Sequence, residues 1–169
     1  MAFLLRLLQT RIRGSHIFES IVLELTDRLD SVFLQSASLE GVYLVSKHAD
    51  CGMEVPCHQD AALDTYRLQK TERRITAWIA LQDTSAENGG LLVYPGSHSR
   101  GLMKHRNVLR KKGLNQRCID EGDLIDFDAP RPITVSAGDV VLLHSHVIHG
   151  SPRFIHPTSR HALVVDFVY

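Results

Sequence analysis

The stretch GDVVLLHSHVIHG, residues 138–150, is a short apolar run, rich in β-branched residues, that begins and ends at glycine. Such a run, bounded by turn residues, is typical of a β-strand. Glycine, proline, asparagine and aspartate separate it from similar runs elsewhere in the chain, as turns require. The similar runs are GVYLVSK (41–47), RITAWIALQD (74–83), GGLLVYPG (89–96), RPITVS (131–136) and RHALVVDFVY (160–169). The sequence therefore predicts a mainly β fold over residues 41–169, and a double-sheet jelly roll, or double-stranded β-helix, is the expected architecture.

Two segments depart from this pattern. Residues 17–34, IFESIVLELTDRLDSVFL, repeat apolar side chains at roughly helical spacing, with acids and Arg28 between them. They predict one amphipathic helix that packs outside the β body. Residues 99–130 are polar and lack sustained alternation, which predicts an irregular, lid-like connection. The apolar positions of the predicted helix are Ile21, Leu23, Leu25, Leu29 and Val32.

Length and composition indicate one ordinary globular domain over residues 1–169. The 19 basic residues balance the 19 acidic ones, so nothing points to nucleic acid or a membrane surface as a partner. Three cysteines without CxxC spacing favour a reducing, cytoplasmic setting over a disulfide framework. The opening MAFLLRLLQTRIRG, residues 1–14, is apolar and acid-free, which leaves organelle import open. No apolar stretch is long enough to span a bilayer, and the oligomeric state cannot be read from the sequence.

The tripeptide His58-Gln59-Asp60 carries the most chemical information. In an extended strand, residues two apart point to the same side, so His58 and Asp60 can face one metal ion while Gln59 points away. His149, in a distant strand, can supply a third ligand. Two histidines and one carboxylate on one face of an ion leave its other positions open, which is the arrangement of non-haem Fe(II) oxygenases. A cupin-like barrel whose histidines hold zinc, or no metal, is the alternative from the residues alone.

Other histidines compete for the third position. His144 and His146 precede His149 and are open alternatives, although a strand face or a pocket wall is the simpler interpretation for both. His98, in PGSHSRG, is expected to stabilise a turn beside the site.

Three segments together resemble the phytanoyl-CoA dioxygenase family of Fe(II)- and 2-oxoglutarate-dependent oxygenases. They are VPCHQDAA (55–62), TAWIALQDTSAENGGLLVYPGSHSRG (76–101) and AGDVVLLHSHVIHGSP (137–152), with Arg160 beyond them. The resemblance runs from about Tyr43 to Tyr169. It implies that His58, Asp60 and His149 hold Fe(II).

The resemblance also implies an activity and a cosubstrate pocket. The expected reaction uses O₂ and 2-oxoglutarate to hydroxylate a small-molecule or acyl substrate, releasing succinate and CO₂. A planar guanidinium suits the far carboxylate of 2-oxoglutarate, and a serine hydroxyl can donate to the same group. A relative that keeps the metal ligands but has little or no turnover is the alternative. The residues expected at the cosubstrate are Arg160, Ser151, Tyr43, Lys47, Gln59 and Trp78.

Overall fold

The structure, a computed structural model, describes residues 16–33, 36–49, 53–63, 74–110 and 114–169. Within these ranges one α-helix, α1 (His16–Phe33), precedes ten strands. The opening segment considered for organelle import lies outside the described residues. The strands are β1 (Ser38–Lys47), β2 (Val55–His58), β3 (Arg74–Ala80), β4 (Leu92–Val93), β5 (Arg106–Arg110), β6 (Leu114–Cys118), β7 (Arg131–Pro132), β8 (Val140–His144), β9 (His149–Ser151) and β10 (Arg160–Val168).

Eight of these strands form two four-stranded antiparallel sheets. The major sheet has the order β1-β10-β3-β8, and the minor sheet has the order β2-β9-β4-β7. Sheet neighbours are distant in sequence, as in a jelly roll. The predicted mainly β fold with one helix at its N-terminal side is confirmed.

The outer face of the major sheet is covered by α1. On β10, Leu163, Val165 and Phe167 alternate with inward residues and form one buried cluster with Leu25 and Leu29 of the helix. The predicted helix is therefore confirmed, starting and ending one residue earlier than expected. Its apolar stripe is narrower than the sequence indicated, because Leu23 is 65% exposed and Val32 is 67% exposed.

The space between the sheets holds a second apolar cluster that includes Trp78, Ala80 and Leu143. On the inward face of β3 and β10, the side chains on either side of this apolar cluster are polar. The strand pairing places Thr76 opposite Asp166 near one end and leaves Arg160 at the other. These inward polar positions lie where the two sheets face each other.

The segment 99–130 is more regular than the sequence predicted. It contains the hairpin β5–β6 and the short 3₁₀-helix Glu121–Leu124, and it begins within another, Ser97–Arg100. Just after the hairpin, the Ile119 backbone N–H donates to the Cys57 carbonyl on β2 at 2.9 Å. Sustained alternation is missing because the hairpin is not part of either sheet and keeps polar side chains such as Arg106 in solvent. Its role as a lid stays a prediction.

Candidate metal centre

The predicted metal ligands come together through the pairing of β2 and β9. His58 ends β2, His149 begins β9, and the two are direct register partners. Gln59 has extended backbone angles, φ −119° and ψ 136°, so Asp60 returns to the same side as His58. Asp60 then begins the short 3₁₀-helix Asp60–Ala62. The two side chains therefore share a face for the reason that the sequence predicted, the alternation of side chains along extended backbone.

The three side chains converge on one point. Asp60 Oδ1 lies 3.6 Å from Nε2 of His58 and 3.6 Å from Nε2 of His149, and the two imidazole rings are 4.4 Å apart. One ligand atom from each residue lies within 4.8 Å of the other two. Metal–ligand bonds of about 2.0–2.2 Å to such donors require only small side-chain movements from this arrangement. The group fits a divalent metal ion.

Both histidines are held in the tautomer that metal binding requires. His58 Nδ1 lies 2.8 Å from the Pro56 carbonyl, and His149 Nδ1 lies 3.0 Å from the Val147 carbonyl. Because a carbonyl oxygen only accepts, each Nδ1 carries the proton and donates. Each Nε2 is then left with its lone pair directed to the site, and the carbonyl fixes the ring orientation.

The environment also sets the charges. Burial, together with the neighbouring His149, lowers the pKa of His58 to about 4. For Asp60, burial favours the neutral carboxyl, but His149, His58 and the Thr76 hydroxyl outweigh it and lower the pKa. At neutral pH the site therefore presents a neutral His58 and an ionised Asp60, the protonation states that bind a cation.

The second oxygen of Asp60 is bound within the protein. Thr76 Oγ1 donates to Asp60 Oδ2 at 2.7 Å and also lies 3.0 Å from Asp166 Oδ1. Arg74 Nη2 donates to Asp166 Oδ2 at 3.1 Å. The sequence analysis did not single out Arg74, Thr76 or Asp166. On buried strands, however, Arg74 and Thr76 stand at even spacing from Trp78, and Asp166 stands at even spacing from Arg160. This spacing places them on the same faces and could have identified them.

Arg160 and Lys47 are two buried cationic residues that lie side by side in the major sheet, at the end away from Thr76 and Asp166. They are register partners on β10 and β1, and both are almost completely buried. Arg160 Nη2 donates to the Gly89 carbonyl at 2.8 Å, and its guanidinium lies 5.4 Å from the centre of the Trp78 ring. Lys47 Nζ donates to the Pro152 carbonyl at 2.8 Å. Three of the residues expected at the cosubstrate thus lie in one region.

Ser151 lies two residues beyond His149 on β9 and is buried. Among the residues that the structure describes, none offers a hydrogen bond to its Oγ. A buried hydroxyl without a partner costs free energy, so this atom is suited to a ligand.

Two other residues expected at the cosubstrate have different surroundings. Gln59 is fully buried, and its side chain donates to the carbonyls of Gly101 and His146 and accepts from the Met103 N–H. Its amide therefore joins the HxD segment to two neighbouring loops. Tyr43 is on β1 opposite Val164, and its ring extends back over Gly41, where any Cβ would collide with the hydroxyl. Since β1 runs from Gly41 towards Lys47, the hydroxyl points away from the Arg160 end.

The competing histidines form a separate cluster. The His144 ring lies 5.6 Å from that of His98 and 5.4 Å from that of His146. Burial, with His146 and His98 nearby, lowers the pKa of His144. Within the described part of the chain, the group of ligand atoms able to hold a metal includes His149, and it includes neither His144 nor His146.

The chain matches a protein-family model and resembles several known proteins. The family model described as phytanoyl-CoA dioxygenase (PhyH) matches residues 9–162. A similar curated protein is "Phytanoyl-CoA dioxygenase 1" of Oryza sativa subsp. japonica, 31% identical over 136 residues, which are 80% of this chain and 46% of that protein. Human "Phytanoyl-CoA dioxygenase, peroxisomal" is 31% identical over 111 residues, 64% of this chain and 32% of that protein. The chain thus spans less than half the length of these two relatives.

Solved structures share the fold. The carbocyclase SnoK from nogalamycin biosynthesis, described as non-heme and alpha-ketoglutarate dependent, has a TM-score of 0.70 at 23% identity, covering 89% of this chain and 57% of that one. EvdO2 from Micromonospora carbonacea var. aurantiaca, solved with 2-oxoglutarate, has a TM-score of 0.66 at 22% identity, covering 88% of this chain and 63% of that one. In the part of the chain that is described, no helix is both long and apolar enough to cross a membrane.

Proposed function

The chain belongs to the phytanoyl-CoA dioxygenase (PhyH) family, and we propose that it is a non-haem Fe(II)- and 2-oxoglutarate-dependent dioxygenase that hydroxylates a small-molecule or acyl substrate. The observation that supports this most is the buried group of His58, Asp60 and His149, whose ligand atoms face one point. Two imidazoles and one carboxylate form the donor set that suits Fe(II) in such oxygenases.

In this proposal, His58 and His149 bind Fe(II) through Nε2 and Asp60 binds it through Oδ1. The carbonyls of Pro56 and Val147 keep both rings aimed at the metal. When bound, Fe(II) and 2-oxoglutarate supply the chemistry that activates O₂, with oxidation of the cosubstrate to succinate and CO₂. The contribution of the protein is ligation, orientation and exclusion of water.

Arg160 is proposed to bind the far carboxylate of 2-oxoglutarate. Its guanidinium is planar and permanently charged, and it can offer two parallel N–H groups to one carboxylate. Ser151 Oγ would donate to the same carboxylate, and Lys47 adds a second positive charge beside Arg160. Trp78 forms the wall on which the guanidinium rests. Gln59 and Tyr43 are not part of the proposed cosubstrate contacts. The Gln59 amide is bonded to three backbone groups, and the Tyr43 hydroxyl points away from Arg160.

A cytoplasmic location and a single domain over residues 1–169 remain predictions. The alternative is a metal-binding relative with little or no turnover.

The proposal is tested by titrating 2-oxoglutarate into anaerobic, Fe(II)-loaded protein and recording the visible charge-transfer band of the chelate. The wild type is expected to develop the band. His149→Ala should abolish it, and Arg160→Ala should raise the dissociation constant for 2-oxoglutarate by about tenfold or more, since a charged hydrogen-bond pair is lost. Arg153→Ala is the matched control, because Arg153 is an exposed arginine of the preceding loop.

The outcomes separate the alternatives. If the wild type binds Fe(II) but shows no band with 2-oxoglutarate, the chain is the alternative, a metal-binding relative that does not use this cosubstrate. An Arg160→Ala protein that binds 2-oxoglutarate as tightly as Arg153→Ala would remove Arg160 from the cosubstrate site.

A further inference from the structure

The carboxylate of Asp60 is held in an asymmetric way. Its Oδ1 faces both histidines at 3.6 Å, whereas its Oδ2 accepts a hydrogen bond from Thr76 Oγ1 at 2.7 Å. The hydrogen bond fixes the rotation of the carboxylate and occupies the oxygen that is turned away from the histidines.

Thr76 belongs to a network that crosses three neighbouring strands. On β10, its register partner Asp166 has Oδ1 at 3.0 Å from the Thr76 hydroxyl. Arg74, two residues before Thr76 on β3, donates to Asp166 at 3.1 Å and to Glu40 of β1 at 2.9 Å. Thr76 and Arg74 are both buried. Buried polar side chains connected in this way keep each other in one arrangement.

The Thr76 hydroxyl has one proton and two carboxyl neighbours. Its shorter contact is with Asp60, so the proton is best placed there. Asp166 Oδ1 is the second acceptor within reach of this hydroxyl, at 3.0 Å.

We propose that Thr76, held in the network with Asp166 and Arg74, is a positioning residue that keeps Asp60 a one-oxygen ligand of the metal. The inference rests on the proposed function for the identity of the metal and cosubstrate. An Asp60 that bound through both oxygens would take a further metal position. With one oxygen bound, His58, Asp60 and His149 leave three positions of an octahedral ion open, two for chelating 2-oxoglutarate and one for O₂.

Cobalt(II) in place of iron makes the coordination visible without turnover. Three proteins are compared: the wild type, Thr76→Val, which removes the hydroxyl at nearly the same volume, and Thr76→Ser, which keeps it. The readouts are the intensity of the Co(II) visible bands, which falls when a ligand is added, and the dissociation constant of 2-oxoglutarate for the Co(II) protein.

For Thr76→Val we expect weaker bands and about a tenfold loss of 2-oxoglutarate affinity, because the released Asp60 oxygen competes for the open position. Thr76→Ser should match the wild type in both readouts. The inference is overturned if Thr76→Val also matches the wild type. It is overturned equally if Thr76→Ser changes as much as Thr76→Val, since the effect would then come from packing.

A crystal structure of Co(II)-loaded wild-type protein keeps the test decisive even if Thr76→Val does not fold. One Asp60 oxygen on the metal and the other on Thr76 supports the inference, and two oxygens on the metal overturn it. Failure of the proposed function looks different: the wild type would then bind no Co(II), and the positioning role would fail with it.

Discussion

Gly150 offers a sharp perturbation of the metal centre that touches none of its ligands. It lies between His149 and Ser151 on β9, where the backbone of β2 passes closely. A Cβ at Gly150 would lie 2.7 Å from the Val55 carbonyl oxygen and 3.3 Å from the Cys57 backbone nitrogen. These are backbone atoms of the strand that supplies His58, so they cannot rotate away. Gly150→Ala therefore forces β2 and β9 apart.

The size of the effect follows from these distances. Ordinary contact begins at 3.4 Å, so the two strands must separate locally by 3.4 − 2.7 = 0.7 Å. Overpacking of this kind costs about 1–3 kcal/mol, while the lower entropy of the unfolded chain with alanine returns about 0.4–1 kcal/mol. We expect the free energy of unfolding to fall by about 1–2 kcal/mol. Metal affinity should fall by about tenfold, because His58 and His149 face each other across the widened pair.

Urea denaturation of the metal-free protein and a Mn(II) titration measure the two effects. Gly122→Ala is the matched control, because a Cβ at Gly122 meets nothing within 4 Å and the backbone there is not left-handed. The control should lose neither stability nor metal affinity. If Gly150→Ala proved as stable as Gly122→Ala and bound Mn(II) equally well, the close approach of β2 and β9 at the site would be refuted.

Two further predictions follow from burial around the HxD segment. Because the folded-state pKa of His58 is lowered from 6.5 to about 4, the unfolded chain binds more protons between these values, and the stability contributed at higher pH is lost as the pH falls through this window. For the wild type, the full loss of unfolding free energy is on the order of 3 kcal/mol. Urea denaturation of metal-free protein at several pH values should show a smaller loss for His58→Gln. If the free energy of unfolding depended on pH equally in both proteins, the lowered pKa of His58 would be contradicted. Gln59→Ala removes three hydrogen bonds to backbone groups, including those of Gly101 and Met103, and should cost about 3 kcal/mol at roughly 1 kcal/mol each. Amide hydrogen exchange at Met103 should accelerate, and an unchanged rate would argue against the role of the Gln59 amide.

Local pattern was sufficient for the mainly β architecture and for placing His58 and Asp60 on one face, whereas the choice of His149 over His144 and His146 came from the family resemblance. The runs that contain Trp78 and Val165 are bounded by turn residues and became the central strands of the major sheet. The two-residue spacing of His58 and Asp60 works because Gln59 is extended, so the side chains share a face. These features depend on neighbours in sequence, which is why they can be read from it.

Features that depend on pairing between distant strands were not predictable in the same way. The hydrogen bond between Thr76 and Asp60 exists only because the segment that follows β2 lies against β3, which is distant in sequence. The surroundings of the Gln59 amide likewise depend on how two loops approach it. The hairpin within 99–130 lacked sustained alternation because it belongs to neither main sheet. Helical spacing overstated the buried stripe of α1, since only one side of the helix meets the sheet and Leu23 remains in solvent.

The most direct test of the central claim is an anaerobic equilibrium titration of the protein with Fe(II), run in parallel on the wild type and on His149→Ala. The account predicts one Fe(II) per wild-type chain and loss of this site in the variant. A wild type that binds no Fe(II), or a variant that binds it as tightly as the wild type, would contradict the assignment of His58, Asp60 and His149 as the metal centre.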